Sequence, residues 1–376
     1  MLADAPEELT EEELDAYSRQ IVLTDIGYEG QLKLKNSKVA IVGLGGLGSI
    51  SSMKLAAMGV GYLRIIDRDI VSMSDLHRQH LYDTSLVGYP KAEAAYRKLR
   101  VLNPRISIEP IANSLNTLNA IELINGVNVV IDGLDAIETR YLLNRACQKL
   151  KIPYIFGSAI EAFGNVSTII PEETACLECF YHGLKDEVLP KCGTIGVHPS
   201  ILGITASIQV SEAVRLLTGQ KPHLLNKLLY ADIRSMSFDQ IIINKRARCP
   251  VCELKTASLS QGIEEKYFEE TCARDGKRTF VVTPREGTNI NLDRLIKRLN
   301  SKNYKVKIKG KLGVSFVDKN GVTINLLKSG MAVFQIPSKP PHKILGKDII
   351  KIYETLIVEY LGLSKTIIPS IFDATR

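Results

Sequence analysis

Residues 38–67 read KVAIVGLGGLGSISSMKLAAMGVGYLRIID, and the architecture of the chain can be built from them. Lys38 to Val42 is a short apolar run, as expected of a parallel strand buried on both faces. It enters the turn Gly43-Leu-Gly45-Gly46-Leu-Gly48, and a helical stretch continues to Met58. Tyr62 to Asp67 is a second strand. Glycines at this spacing, between a strand and a helix, let backbone N–H groups approach a phosphate. The helix N-terminus favours its negative charge. Taken alone, the turn also suits plain strand–helix packing. Asp67 ends the second strand 22 residues after Gly45. An acid at about that distance commonly holds ribose hydroxyls.

Outward from this unit the alternation continues. Asn128 to Asp132 (NVVID) reads as a strand, Ile137 to Leu150 as a helix, and Tyr154 to Gly157 as a further strand. Thr10 and Glu13 form a capping-box pattern for a first short helix. Pro199 to Gly219 reads as one long, mostly apolar helix closed by Gly219. The expectation is an α/β fold with a Rossmann-like, mostly parallel sheet and helices on both faces. The polar stretch 253–265 (ELKTASLSQGIEE) reads as a linker, so a boundary is placed near residue 260. Residues 1–260 then form one domain and 261–376 a second, small α+β domain. In the second, Asn320-Gly321 signals a hairpin within an antiparallel sheet.

The chain has 376 residues and a net charge of +7, with 45% hydrophobic and 24% charged residues. This is globular composition and excludes a disordered or collagen-like chain. No apolar run reaches about 18 residues, so no membrane helix is expected. The acidic N-terminus lacks a basic-then-apolar signal, and a cytoplasmic protein is expected. Between Lys277 and Lys351 there are 17 Lys+Arg against 4 Asp+Glu, a balance of +13. The excess charge marks the C-terminal domain as a docking surface for an acidic partner.

The residues after Asp67 separate a triphosphate site from a nicotinamide site. Asp67-Arg-Asp69-Ile-Val-Ser-Met-Ser-Asp75-Leu-His-Arg78-Gln79 is a polar cluster, and Lys91 opens a helix soon after. Arg and Lys are what a triphosphate needs, because charge develops on its oxygens during transfer. Hydride transfer has no such need. Asp132 and Asp135 lie at the C-terminal end of their strand, where ligands of open α/β sheets bind. A carboxylate there could hold Mg²⁺ beside phosphates.

Seven cysteines are present. Cys176-x-x-Cys179 and Cys249-x-x-Cys252 are two pairs suited to a closed, structural Zn²⁺ site. Cys192 stands apart, in LPKCGTIG. The neighbouring Lys191 and a helix N-terminus nearby would both make its thiol more nucleophilic. Cys147 reads as a core residue, and Cys272, near the linker, as an exposed one. The six histidines form no catalytic constellation.

GLGGLGS, DRDIVSMSDLHRQ, Lys91 and VIDGLDAIETRYLLN together resemble the adenylation domain of the ThiF/MoeB and ubiquitin-activating enzyme superfamily. The resemblance runs from about Tyr17 to Cys252. It implies an ATP-dependent adenylyltransferase that activates the C-terminal glycine of a ubiquitin-like protein. It assigns Gly43, Gly45, Gly46, Gly48, Asp67, Asp69, Asp75 and Gln79 to the nucleotide site, with Asp67 on the ribose. It assigns Arg78 and Lys91 to the phosphates and Asp135 to Mg²⁺. Arg19, in YSRQI, would reach across a homodimer into the partner's site. Cys192 would take the acyl group as a thioester or a persulphide-linked intermediate. The sequence departs from the family pattern at Asp75, where Asn is usual, and at Ala136, where Asn commonly follows the metal-binding acid. The compact single-cysteine plan favours a ubiquitin-like modifier as partner, passed on to a conjugating enzyme. The alternative is a sulphur-carrier protein, served by a sulphur donor. A nicotinamide dehydrogenase and a nucleic-acid partner rank behind both.

Overall fold

The computed structural model describes residues 8–189, 195–272, 278–337, 340 and 344–370. Eight strands form the larger sheet: β1 (Lys38–Val42), β2 (Tyr62–Ile66), β3 (Ser107–Ile111), β4 (Val129–Asp132), β5 (Tyr154–Ile160), β6 (Phe163–Ile169), β7 (Lys227–Asp232) and β8 (Ser237–Ile242). Their order is β3-β2-β1-β4-β5-β6-β7-β8. The first five strands run parallel and β5 to β8 antiparallel. Chain order reverses between β1 and β4, which opens a crevice at their C-terminal ends.

The apolar run in β1 is explained by burial on both faces. Val39 and Ile41 pack into one cluster with Leu55, Leu63 and Ala92. Ala40 and Val42 pack into another with Leu143 and Tyr154. The first helices are α1 (Glu11–Ala16), α2 (Ser18–Ile21), α3 (Gly27–Lys35), α4 (Gly48–Ala57), α5 (Lys91–Leu102), α6 (Ala120–Ile124) and α7 (Ile137–Leu150). The Thr10–Glu13 capping box forms as expected, but the helix breaks at Tyr17 before α2 resumes. After α8 (Leu177–Phe180) comes α9 (Pro199–Thr218), which ends on Gly219 at φ 85°. By length and composition α9 is apolar enough to cross a membrane, with a mean hydropathy of 1.2 over 18 residues, although the sequence led to no such helix being expected. More than half of that stretch is buried, with Gln209 and Glu212 buried and hydrogen-bonded.

The second sheet contains β9 (Phe268–Cys272), β10 (Arg278–Val282), β11 (Lys305–Lys309), β12 (Gly313–Val317), β13 (Thr323–Leu327) and β14 (Ala332–Gln335). It is antiparallel throughout, in the order β11-β12-β13-β14-β10-β9. α10 (Leu292–Ser301), α11 (Gly346–Glu354) and a π-helical turn at Thr355–Tyr360 join it around a core of Phe280, Phe316, Phe334, Leu295 and Tyr353. Val281, Leu327, Met331 and Val333 belong instead to the core cluster of the larger sheet. Arg294, Lys297 and Arg298 on α10 and Lys305, Lys307 and Lys309 on β11 are exposed.

The stretch 253–265 is fastened down rather than loose. Arg145 donates to the carbonyls of Leu259 at 3.2 Å and Gln261 at 2.6 Å. Its other nitrogens hold Glu178 in a buried two-point ion pair.

Candidate active site

The glycine turn is not uniform in purpose. Gly43 has φ +90°, and a Cβ there would lie 2.4 Å from the Gly133 carbonyl oxygen. A Cβ on Gly48 would lie 1.8 Å from the Gly43 carbonyl oxygen, and one on Gly46 would strike Leu202. Gly43 and Gly48 are fixed by backbone packing, while at Gly46 only the tip of the Leu202 side chain stands in the way. Gly45 differs, because a Cβ there would meet nothing within 4 Å. Among the described residues nothing fills the space beside it, and the turn is open there. Just beyond, at the start of α4, the buried Ser49 hydroxyl has no hydrogen-bond partner among the described residues.

Asp67 stands at the exit of β2 with both oxygens in use. Oδ2 accepts the Leu44 amide at 2.6 Å, and Oδ1 accepts the Asp69 amide at 2.6 Å. Burial raises its pKa to about 6, against the opposing pull of Lys91. Lys91, at the first turn of α5, is buried and donates to Asp69 Oδ2 at 2.9 Å. Burial works against its charge, but Asp69, Asp67 and Asp75 outweigh that and raise its pKa.

Asp75 orients its neighbours. Its Oδ1 accepts from Arg78 Nη2 at 2.9 Å and from Gln79 Nε2 at 3.0 Å. Its Oδ2 accepts from the Ser72 amide at 3.0 Å and the Ser72 hydroxyl at 2.8 Å. An acid at this position is therefore satisfied within the protein. The Oε1 of Gln79 is buried and has no partner among the described residues.

The two acids after β4 part company. Asp132 is fully buried and bound to Arg140 Nε at 3.1 Å and the Tyr154 hydroxyl at 2.6 Å. It is committed to the fold. Asp135 is exposed and makes no ion pair among the described residues, so it alone of the two retains the open oxygens a divalent cation takes.

Cys176, Cys179, Cys249 and Cys252 converge, with all four Sγ atoms within 4.8 Å of one another. Sulphur–sulphur distances of 3.8, 3.8 and 3.4 Å are near the roughly 3.8 Å edge of a tetrahedron with 2.3 Å zinc–sulphur bonds. The donor set therefore fits Zn²⁺.

A sequence model described as the ThiF family matches residues 17–251. The chain belongs to the ThiF family. The SAMP-activating enzyme E1 of Haloferax volcanii is 37% identical over 262 residues, 69% of this chain and 96% of that protein. The adenylyltransferase and sulfurtransferase MOCS3 of Culex quinquefasciatus is 36% identical over 71% of this chain, which spans 61% of that longer relative. A crystal structure of Escherichia coli MccB with ATP shares the fold at TM-score 0.56, 24% identity, 65% of this chain and 76% of that one. The match to the ThiF family ends before β9, so the second sheet lies beyond it.

Other residues singled out in the sequence of this ThiF-family chain lie elsewhere. Arg19 is exposed on α2, with no ion pair among the described residues, beside exposed Val22 and Leu23. Cys192 lies outside the described residues. Cys147 is buried, which pushes its thiol pKa up. Cys272 is the last residue of β9. Sequence reasoning missed Asp186, Arg140 and the Arg145–Glu178 pair. Only Glu178 carried a local signal, since it sits inside the first Cys-x-x-Cys.

Proposed function

We propose that this chain adenylates the C-terminal carboxylate of a ubiquitin-like protein at the expense of ATP. The observation that carries the reading is the open space at Gly45, next to Leu44, whose amide is held by Asp67 at the exit of β2. A chain 37% identical to a SAMP-activating enzyme along almost all of that protein supports the same reaction.

In this reading the amides of the glycine turn and the α4 N-terminus take the phosphates. Asp67 holds the ribose. Asp75 presents Arg78, and Asp69 presents Lys91, to charge developing on the α-phosphate. Asp135 would hold Mg²⁺, which neutralises phosphate charge when bound. Arg19 reaches the site of a second copy in a homodimer, and its exposed apolar neighbours suit such a contact. The substrate carboxylate attacks the α-phosphorus, pyrophosphate leaves, and the Cys192 thiolate then displaces AMP to form a thioester. Residues 1–260 perform this chemistry, and residues 261–376 add the basic module. The four-cysteine site holds Zn²⁺ as a structural tie, and the protein works in the cytoplasm.

Sulphur transfer is the second reading, favoured by the 36% identity to an adenylyltransferase and sulfurtransferase. In that case the acyl-adenylate is met by a sulphur donor, and no thioester with Cys192 builds up. The test is pyrophosphate exchange that depends on a ubiquitin-like or sulphur-carrier protein, in wild type and Cys192→Ala. Exchange in both, with a thiol-reducible adduct in wild type alone, supports thioester formation. Exchange without an adduct supports the sulphur-carrier reading. No exchange with any such protein would sink both.

A further inference from the structure

The second sheet lies outside the family match, yet it sends a carboxylate to the rim of the nucleotide cradle. Glu269, on β9, forms a two-point ion pair with Arg68: Nη1 to Oε1 is 2.7 Å and Nη2 to Oε2 is 3.2 Å. Arg68 sits between Asp67, the acid at the exit of β2, and Asp69, the acid that pairs with Lys91. Asp69 and Asp135 are both near enough to act on the Arg68 charge.

The sheet that carries Glu269 is held in place on several sides. The Leu312 amide donates at 2.8 Å to Glu93, two residues beyond Lys91 on α5. The Ser329 hydroxyl donates at 2.9 Å to the Ala112 carbonyl, at the exit of β3. Glu265 accepts the Thr117 amide at 3.0 Å. Val281, Leu327, Met331 and Val333 complete an apolar core shared with Leu63 and Ile65. The position of Glu269 is thereby tied to the larger sheet.

An arginine near several carboxylates settles on the one that offers two parallel hydrogen bonds. Here that is Glu269. Without it, the guanidinium turns to Asp69 or to Asp135. The first movement would loosen Lys91, and the second would set a cation where a divalent metal is needed. We infer that Glu269 is a positioning residue for the adenylation site, holding Arg68 away from Asp69 and Asp135. The inference rests on the proposal that ATP and a divalent cation bind in this crevice. It makes the second domain a working part of the site.

The test uses the full chain and measures ATP binding as a function of Mg²⁺, with a thermal midpoint recorded for each variant. Glu269→Gln is expected to raise the Mg²⁺ needed for half-maximal ATP binding roughly fivefold to tenfold. Arg68→Met removes the wandering cation without touching the second sheet, and it is expected to bind MgATP as wild type does. The double variant is expected to return toward wild type, because the harm acts through Arg68. A merely structural role would not give that rescue. Unchanged Mg²⁺ dependence in Glu269→Gln, weakened binding in Arg68→Met, or a double variant as impaired as Glu269→Gln each overturn the inference alone. No ATP binding by wild type overturns the reading of the site, and the inference with it.

Discussion

Asp186 caps the helix that comes after the candidate metal acid: its Oδ1 accepts the Ile137 amide at 2.7 Å. Its Oδ2 takes the Glu138 amide at 3.3 Å. Ala136, at the N-cap position, offers no side-chain acceptor of its own. The cap is supplied from the segment that leads to Cys192, so that segment and the Asp135 turn are joined. Asp186→Ala is expected to cost about 1 kcal/mol of stability, as the loss of a helix cap does. Asp186→Asn should keep most of it. Denaturant midpoints of the two variants check this. Equal midpoints for Asp186→Ala and wild type would show that the cap carries no weight.

The glycine turn gives a contrast that separates binding from folding. Gly45→Ala has room for its methyl group and should stay within about 0.5 kcal/mol of wild type in stability. The same methyl intrudes on the phosphate approach, so ATP affinity should fall at least about tenfold. Gly48→Ala forces backbone against backbone and should destabilise the chain by more than about 2 kcal/mol. Paired unfolding and nucleotide titrations decide. A stable Gly45→Ala with wild-type affinity would mean that no phosphate lies against the turn.

Asp67 predicts a pH signature. Its folded pKa is raised by burial from 3.8 to about 6. The native state then binds more protons than the unfolded state between those values, so stability falls as pH rises through that window. Asn at this position does not titrate. The stability of Asp67→Asn relative to wild type should therefore grow from pH 4 to pH 6 and level off above, by at most about 3 kcal/mol. A difference that stays flat across this range would show that Asp67 is not perturbed. ATP binding should be lost in this variant at every pH.

The four-cysteine cluster should hold one zinc per chain, measured by elemental analysis of the purified protein. Stripping the metal, or Cys249→Ser, should lower the thermal midpoint markedly, because the site joins segments 73 residues apart. Pyrophosphate exchange measured below the new midpoint should persist, since a closed structural site takes no part in the chemistry.

Much of the candidate site was legible because its signals are local. The turn from Gly43 to Gly48, the acid at Asp67 and the paired cysteines each follow from spacing alone. Lys91 was legible because it opens a helix near the end of the polar cluster. The role of one acid was not. Asp132 and Asp135 lie three residues apart after one strand, and the family resemblance singles out Asp135 for the metal without saying what Asp132 does. The approach of Arg140 and Tyr154 shows that Asp132 is committed to the fold.

Reading along the chain was enough to find the parallel βαβ core, the glycine turn, the four cysteines that converge and the basic character of the last hundred residues. Period, capping and ligand spacing act within a few residues, and a linear reading captures them. Four features came from the folded arrangement instead: the antiparallel continuation through β8, the fastening of 253–265 by Arg145, the Asp186 cap and the Arg68–Glu269 pair. The last three depend on groups far apart in the chain, 201 residues in the Arg68–Glu269 case, and the first on the pairing of β6 with β7 across some sixty residues. The side-chain pairings arise because a charge shielded from water or a bare helix end must find a partner, and the packed chain settles which one it meets.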